Sequence, residues 1–261
     1  MTKDFYLDER ALAAYFEKDW YDRVLTTDPH QTKMTFAPFE ALNLYCDYHE
    51  KLIGFLAGQL IRAGAQPKTV FEVGSSLGRT FFEICRKIKS VQQATLIEPS
   101  ENLATTFTNI FQAKGPLRLR VLKGNVDLTE VTLDTQLIQS ACAGVELTLI
   151  PSSFQSLTPP PGPFDLTVCS NVIDQCRDPE KLAELLKTAT ALNGVLVISC
   201  TYQWQTKYIG NATKQIQNIA DLFGPAWHKL GETNIPFQLR GHERYWKRFL
   251  SHVLIMRRGR K

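Results

Sequence analysis

The chain reads as an α/β fold built on a doubly wound, mostly parallel sheet with a helical N-terminal segment, on three observations. Short β-branched runs alternate with amphipathic helical patterns from Thr69 onward. The first of these runs, "TVFEVG", meets a small-residue loop, "GSSLG", that opens directly into the helical pattern "RTFFEICRKI". The final apolar run, "HVLIMRR", has no helix after it and reads as an antiparallel closing strand. Strand–helix alternation puts helices on both faces of a parallel sheet.

In chain order, residues 1–67 read as a helical, aromatic-rich segment that lids the rest. Within it, Leu42, Cys46, Leu52, Ile53, Leu56 and Leu60 fall near one helical face, and Gly64 and Pro67 end the pattern. Residues 68–261 form the second unit. Its strands are expected at Thr69–Gly74, Ala94–Glu98, Val145–Ile150, Phe164–Ser170 and Gly194–Cys200, and its helices at Arg79–Lys89, Glu101–Lys114, Pro179–Leu192 and Ala212–Phe223. The stretch "PLRLRVLKGNVDLTEVTLDTQLIQSACAG" is too long for a plain connection and reads as an inserted element with structure of its own. "TPPPGP" at Thr158–Pro163 reads as a rigid connector.

Composition narrows the class. Hydrophobic content of 44% and charged content of 21% fit a folded, water-soluble chain. Net charge is +4, and part of the excess is the terminal cluster Arg257, Arg258, Arg260 and Lys261, which reads as a solvated end. The six cysteines show no CxxC pair, and the five histidines do not fall at ligand spacing from them. Reduced buried thiols are expected, and no metal site. No apolar run approaches the ~18 residues that span a bilayer, and the N-terminus carries acids where a signal peptide is apolar. The expected location is the cytoplasm.

The loop after the first strand carries the chemistry. Its pattern is Glu72-x-Gly74-x-Ser76-x-Gly78, one residue short of an acid-x-G-x-G-x-G loop. Gly74 lets the chain turn off the strand, and Gly78 is expected to let the next helix approach a ligand. Twenty residues on, "ATLIEPS" ends a strand in Glu98, an acid placed to hold both hydroxyls of an adenosine ribose. A dinucleotide site calls for a third glycine, and a phosphate loop for G-K-[ST]; the chain has neither. An acid ahead of the glycines suits a cofactor with a positively charged amino-acid end.

The order FEVGSSLG, LIEPS, LIPSSF, FDLTVCSNVID, GVLVIS and a late strand resembles the class I S-adenosylmethionine-dependent methyltransferases over roughly Thr69 to Arg258. The resemblance implies a Rossmann-like, seven-stranded sheet. It also implies S-adenosyl-L-methionine as cofactor, with S-adenosyl-L-homocysteine as product. Carried onto this chain, it assigns Glu72, Gly74, Ser75, Ser76, Gly78 and Arg79 to the first motif, and Glu98 with Pro99 to the ribose. Ser153 and Phe154 fall beside the adenine, and Asn171, Val172 and Ile173 line the cofactor after the fourth strand. Ser76 departs from the family's usual middle glycine.

Outside that core the chain is similar to the ovothiol-biosynthesis methyltransferases, which methylate the imidazole of 5-thiohistidine. "FYLDERALAAYF", "APFEALNLY", "VDLTEV", "SCTYQW" and "IPFQLRGHERYWKR" carry that similarity. Cys200, Thr201, the Ser75-Ser76 pair and Tyr245–Arg248 depart from it. It implies an amino-acid-like small substrate held by Arg240, Tyr202, Trp204 and His242, with His242 and Tyr202 nearest the chemistry. His49 and His228 carry no signal. Methylation of another small molecule or of a protein side chain, and a non-catalytic binding protein of the same fold, are the alternatives. No aromatic-basic stacking module is present, and Asn171 is followed by Val-Ile-Asp, which argues against a nucleic-acid substrate.

Overall fold

The computed structural model describes residues 8–25, 45–123, 127–157, 162–204, 216–242 and 244–260, and the backbone alone at 33–34 and 42–43. In chain order the elements are α1 (Glu9–Trp20), β1 (Lys33–Met34), β2 (Leu42–Asn43), α2 (Tyr48–Arg62), β3 (Thr69–Val73), α3 (Arg79–Lys87), β4 (Gln93–Ile97), α4 (Glu101–Gln112), β5 (Leu117–Lys123), β6 (Asp127–Leu133), α5 (Thr135–Ala141), β7 (Glu146–Ile150), β8 (Phe164–Ser170), α6 (Pro179–Ala189), β9 (Thr190–Cys200), β10 (Trp227–His242) and β11 (Tyr245–Arg258). Seven strands form one sheet in the order β10-β11-β9-β8-β3-β4-β7. From β9 to β7 every neighbouring pair is parallel; β11 runs antiparallel to both of its neighbours. The expected fold class is the one observed.

Two apolar layers cover the two faces. On one, Leu52, Ile53, Leu56 and Leu60 of α2 pack with Val70, Phe81, Val168 and Val253. On the other, Leu182, Leu185 and Leu186 of α6 pack with Phe71, Cys169, Leu196 and Leu254. α2 is one of the sheet's own covering helices. That helix begins at Tyr48, so Cys46 precedes it and Leu42 belongs to β2 rather than to the helical face.

The inserted element is a β5–β6 hairpin followed by α5, and it packs with α1 and α4 around Trp20, Phe82, Ile110, Val121 and Leu133. One expectation needs correction, and one strand was not foreseen. Only a single 3-10 turn, Ile219–Leu222, forms within the helix expected at Ala212–Phe223; residues 216–218 are not helical, and 212–215 lie outside the described residues. β10, for which no element was expected, pairs with β11 in a long hairpin, and the "IPFQLRGHERYWKR" stretch forms its far half. β11 pairs with β9 only over His252–Arg257, so the hairpin's outer half continues beyond the sheet. Of the stretches named above, residues 5–7, 37–41, 44, 124–126, 158–161, 243 and 261 lie outside the described residues.

Strand order reverses between β3 and β8, so the chain leaves them in opposite directions and the loops that follow them face each other. Gly74 and Gly78 have φ of 75° and 82°, where only glycine sits without strain. A Cβ at Gly74 would lie 2.5 Å from Val172 of the facing loop. At Gly78 the expected reason changes: the missing side chain admits Phe107 and Phe111 of α4, so this glycine serves helix packing. We predict that Gly78→Ala lowers stability by roughly 2–4 kcal/mol in urea titration, from left-handed strain and overpacking together.

Candidate functional site

Backbone bonds first close the loop after β3. The Gly74 and Ser75 amides donate to the Ile97 carbonyl at 2.9 and 3.1 Å, and Gly78 N to the Ser75 carbonyl at 2.9 Å. Ser76, at φ 51°, presents its amide to Glu98 Oε2 at 2.8 Å, while Ser100 N donates to Glu98 Oε1 at 2.9 Å. Glu98 is thereby fixed in orientation at the end of β4, 4% exposed. Pro99 beside it is exposed. Ser153 caps the 3-10 turn that holds Phe154, its Oγ accepting from Gln155 N at 3.3 Å.

Glu72 lies beneath this loop at 1% exposure, and neither carboxylate oxygen has a hydrogen-bond partner. Burial pushes its pKa up to about 8, against a partial offset from the nearby Thr80 hydroxyl, whose hydrogen-bond partner is His49 Nδ1 rather than the carboxylate, and the negative Glu98 and Asp19 add to the rise. A buried acid with no cation against it exists as the neutral form at neutral pH.

On the facing side, Asn171 has φ 53°, and Val172 fills the space over Gly74. Asn171 N donates to Ser199 Oγ at 3.0 Å, and its Oδ1 accepts from Ser199 Oγ at 3.1 Å and Ser251 Oγ at 2.9 Å, leaving Nδ2 buried without a partner. Ile173 is fully buried in the core. Tyr48 joins the network, its hydroxyl 2.6 Å from Ser199 Oγ and 3.0 Å from Ser170 Oγ. Burial pushes that phenol up to about 12, so it stays a neutral donor.

Three groups that the sequence did not single out close the site from the N-terminal helices. Lys18 and Asp19 end α1, and His49 opens α2. Lys18 Nζ lies 2.7 Å from Asp19 Oδ1, His49 Nε2 3.2 Å from the same oxygen, and His49 Nδ1 2.9 Å from Thr80 Oγ1. Burial alone would raise Asp19, but Lys18 and His49 draw it to about 2; burial holds His49 below the usual imidazole range. No pattern in the sequence announces this set, because its members lie 31 residues apart and meet only through helix packing.

Two expected ligand contacts are absorbed by the fold. Arg79, 2% exposed, donates to Asp22 Oδ1 at 2.6 Å, Asp22 Oδ2 at 3.0 Å, Glu83 at 3.1 Å and the Asp19 carbonyl at 2.6 Å. With Trp20 Nε1 donating to the Leu77 carbonyl at 3.0 Å, it fastens α1 to the loop rather than facing a ligand. Arg240, expected to grip a substrate carboxylate, is 4% exposed and instead pairs with Glu17 at 2.6 Å and donates to the Leu122 carbonyl at 2.7 Å.

The remaining expected residues lie toward the sheet's far edge. His242 is at the hairpin tip, where its Nδ1 accepts from Arg244 N at 3.2 Å. Tyr202 and Trp204 follow β9, half-buried against the apolar layer that α6 covers. Tyr202 is anchored by its hydroxyl, 2.7 Å from His252 Nδ1. Among the described residues no group of histidine, cysteine, aspartate or glutamate is arranged to hold a metal, and no helix is long and apolar enough to cross a membrane.

No family model and no curated protein matches the chain. Solved structures share its fold. The N-methyltransferase NodS from Bradyrhizobium japonicum WM9, determined in complex with S-adenosyl-L-homocysteine, aligns over 95% of this chain and 100% of its own at TM-score 0.51 and 10% identity. A protein solved in work on conversion of a disulfide bond into a thioacetal group during echinomycin biosynthesis aligns over 78% of this chain and 80% of its own, at 0.50 and 11%.

Two predictions follow the electrostatics. Because folding raises the pKa of Glu72, the native state holds its proton while the unfolded chain has lost it, and stability falls as pH rises from about 4.5 to about 8. Glu72→Gln removes that slope. Its stability relative to the parent is expected to rise across this window by on the order of 1–3 kcal/mol, read from urea titrations at several pH values. Arg240→Ala strands Glu17, whose pKa burial already lifts to about 7. Its loss, roughly 3–5 kcal/mol above pH 8, is expected to shrink near pH 5, where Glu17 takes up a proton.

Proposed function

We propose that the chain is an S-adenosylmethionine-dependent methyltransferase acting on a small, amino-acid-like molecule, with an imidazole nitrogen of a thiohistidine-like compound as the preferred acceptor. The observation that carries this reading is the pair of acids at the switch point. Glu98 is held at the end of β4 by two loop amides, and Glu72 lies under the same loop with both oxygens unpartnered. An orphaned carboxyl fits a ligand whose end is an ammonium, and a fixed acid one strand away fits a ribose diol. The fold shared with NodS supports the same class. Under this reading the domain that holds the cofactor begins near residue 68, and α1 and α2 wall the acceptor side.

The cofactor supplies a methyl group already activated by the positive charge on its sulfur. The chain's own contribution is alignment and exclusion of water. Gly74–Gly78 shape the floor; Glu98 receives the ribose; Ser153 and Phe154 flank the base; Val172 and the Asn171 amide border the cofactor's amino-acid end. A neutral imidazole nitrogen carries its own lone pair, so attack needs no strong base. With Arg240 tied to Glu17, the acceptor's carboxylate is left to other donors; the Asn171 side-chain amide is buried without a partner, whereas Lys18 is already paired with Asp19.

Calorimetry of the full chain with S-adenosyl-L-methionine tests the reading. We expect micromolar affinity, weakened on the order of 10- to 100-fold by Glu98→Ala, which removes hydrogen bonds to a charged group. Binding at pH 7 is expected to release ~1 proton as Glu72 ionises against the ammonium, seen as an enthalpy that varies with the buffer and ceases to vary in Glu72→Gln. A gain of one methyl by 5-thiohistidine, read by mass spectrometry, supports the acceptor; a silent 5-thiohistidine with intact cofactor binding discards it. Absence of binding in the parent protein overturns the class.

A further inference from the structure

A second line of titratable groups runs outward from the end of β9, and the mechanism above leaves it unused. Tyr202 stands two residues past the strand with φ 56°, a conformation an aromatic residue adopts only when its surroundings hold it there. They do so: Tyr202 N donates to Cys200 Sγ at 3.2 Å, and Asp174 Oδ2 accepts from Thr201 N at 3.1 Å and Thr201 Oγ1 at 2.6 Å. Asp174 belongs to the 3-10 turn that follows the Asn171–Val172 loop, so Tyr202 is fixed to the same carboxyl-end rim as the candidate cofactor site.

From Tyr202 the contacts form a chain. Its hydroxyl is 2.7 Å from His252 Nδ1, the two rings lie 5.8 Å apart at 18°, and His252 Nε2 is 2.8 Å from Glu232 Oε1. Glu232 Oε2 is 2.7 Å from Lys229 Nζ, and that lysine, followed by His252, holds the acid below the usual carboxylate range. Chemistry then fixes the direction. An ionised Glu232 only accepts, so the neutral imidazole carries its hydrogen on Nε2, and Nδ1 keeps a lone pair toward which Tyr202 donates. Of the two lone pairs on the phenol oxygen, Ile219 N–H takes one at 3.2 Å; the second is left for a donor. Glu232 and Lys229 of β10, Asp221 of the 3-10 turn and Cys200 of β9 are the titratable groups around the pair.

We propose that Tyr202 takes the proton that the methyl acceptor loses and passes its own to His252, which Glu232 positions. This rests on the methyl-transfer reading and narrows it to acceptors that bear an N–H or O–H at the reacting atom or conjugated with it. As the acceptor's lone pair bonds to the methyl carbon, the C–S bond breaks onto sulfur and positive charge develops on the acceptor. In the same transition state the acceptor's N–H or O–H gives its proton to the Tyr202 oxygen while the phenol proton crosses to His252 Nδ1, so that no full positive charge builds up on the acceptor. Glu232 stabilises the imidazolium, and His252, with 15% of its side chain exposed, returns the proton to water. His242, at the hairpin tip, has no comparable connection to the rim.

Two measurements on the full-length chain decide it. Long-range nitrogen–proton NMR of the free protein at pH 7.5 is expected to show His252 as the Nε2–H tautomer, with its Nδ1 resonance moved in Tyr202→Phe. The Nδ1–H tautomer would make Tyr202 an acceptor from the ring and overturn the proposal. With S-adenosyl-L-methionine and 5-thiohistidine, His252→Gln is expected to lower kcat by ~10²–10⁴-fold, leaving KM and cofactor affinity within about twofold. Glu232→Gln is expected to lower kcat less. An unchanged kcat in His252→Gln, or a loss matched by lost cofactor affinity, overturns the relay. Where the cofactor binds but 5-thiohistidine does not turn over, the tautomer decides alone. Where the cofactor does not bind at all, the methyl-transfer reading fails and takes this proposal with it.

Discussion

A guanidinium taken out of water must find anions around it, and Arg79 is buried at the second bend of the loop that the whole site rests on. Its partners, Asp22, Glu83 and the Asp19 carbonyl, come from two different helices. Satisfying them brings the end of α1 down onto the loop, where Trp20 bonds to Leu77 and packs edge-on against Phe82. That approach carries Lys18 and Asp19 to within reach of His49, and so assembles the N-terminal wall of the site. α1 also offers Glu17 to Arg240, which ties in the outer half of the β10–β11 hairpin. One buried cation thus ties α1 to the loop, and a second, Arg240, ties the hairpin to α1.

The electrostatic character of the rim follows from this arrangement. Buried acids gather at the carboxyl ends of the strands: Asp19, Glu72, Glu98 and Asp174. Asp19 has its cation in Lys18, Glu98 has two amides, and Asp174 has Thr201. Glu72 alone among these four lacks a partner for either oxygen while sitting next to two other acids, so it is the natural point of attachment for positive charge. Farther along the rim, Tyr202, His252 and Glu232 supply a route by which a proton leaves. One end of the rim is suited to receiving a cation and the other to discharging a proton, and both hang on loops that follow parallel strands.

The loop and its acids were legible because they are local. Glu72, Gly74, Ser76 and Gly78 fall within seven consecutive residues, and left-handed φ together with the β3–α3 reversal leave few residue types that serve there. Glu98 was legible for a similar reason, as the last residue of an apolar run. The arginines were not. A conspicuous Arg reads as a ligand contact from sequence, yet Arg79 and Arg240 are claimed by carboxylates 57 and 223 residues away. His252 hid inside a closing strand, where a period-two pattern gives no sign that its ring will meet a phenol 50 residues earlier. β10 was missed because Gly231, Pro236 and Gly241 punctuate it; in the structure the two glycines sit at its shifts of register and Pro236 lies on the sheet's edge strand, where proline is tolerated.

By itself the sequence determined the α/β class, every strand of the central sheet except β10, the glycine loop and the two acids beside it, because each depends on periodicity or on the steric demands of a few adjacent residues. Tertiary structure decided which charged groups remain available to a ligand. It gave Arg79 and Arg240 to the fold, left Glu72 unpartnered, raised His49 from a residue without signal to a wall of the site, and lined up Tyr202, His252 and Glu232. The physical reason is that burial sets the value of a charge: the same carboxyl or guanidinium is a solvated surface group or a strongly perturbed one according to what packs over it, and what packs over it comes from distant parts of the chain.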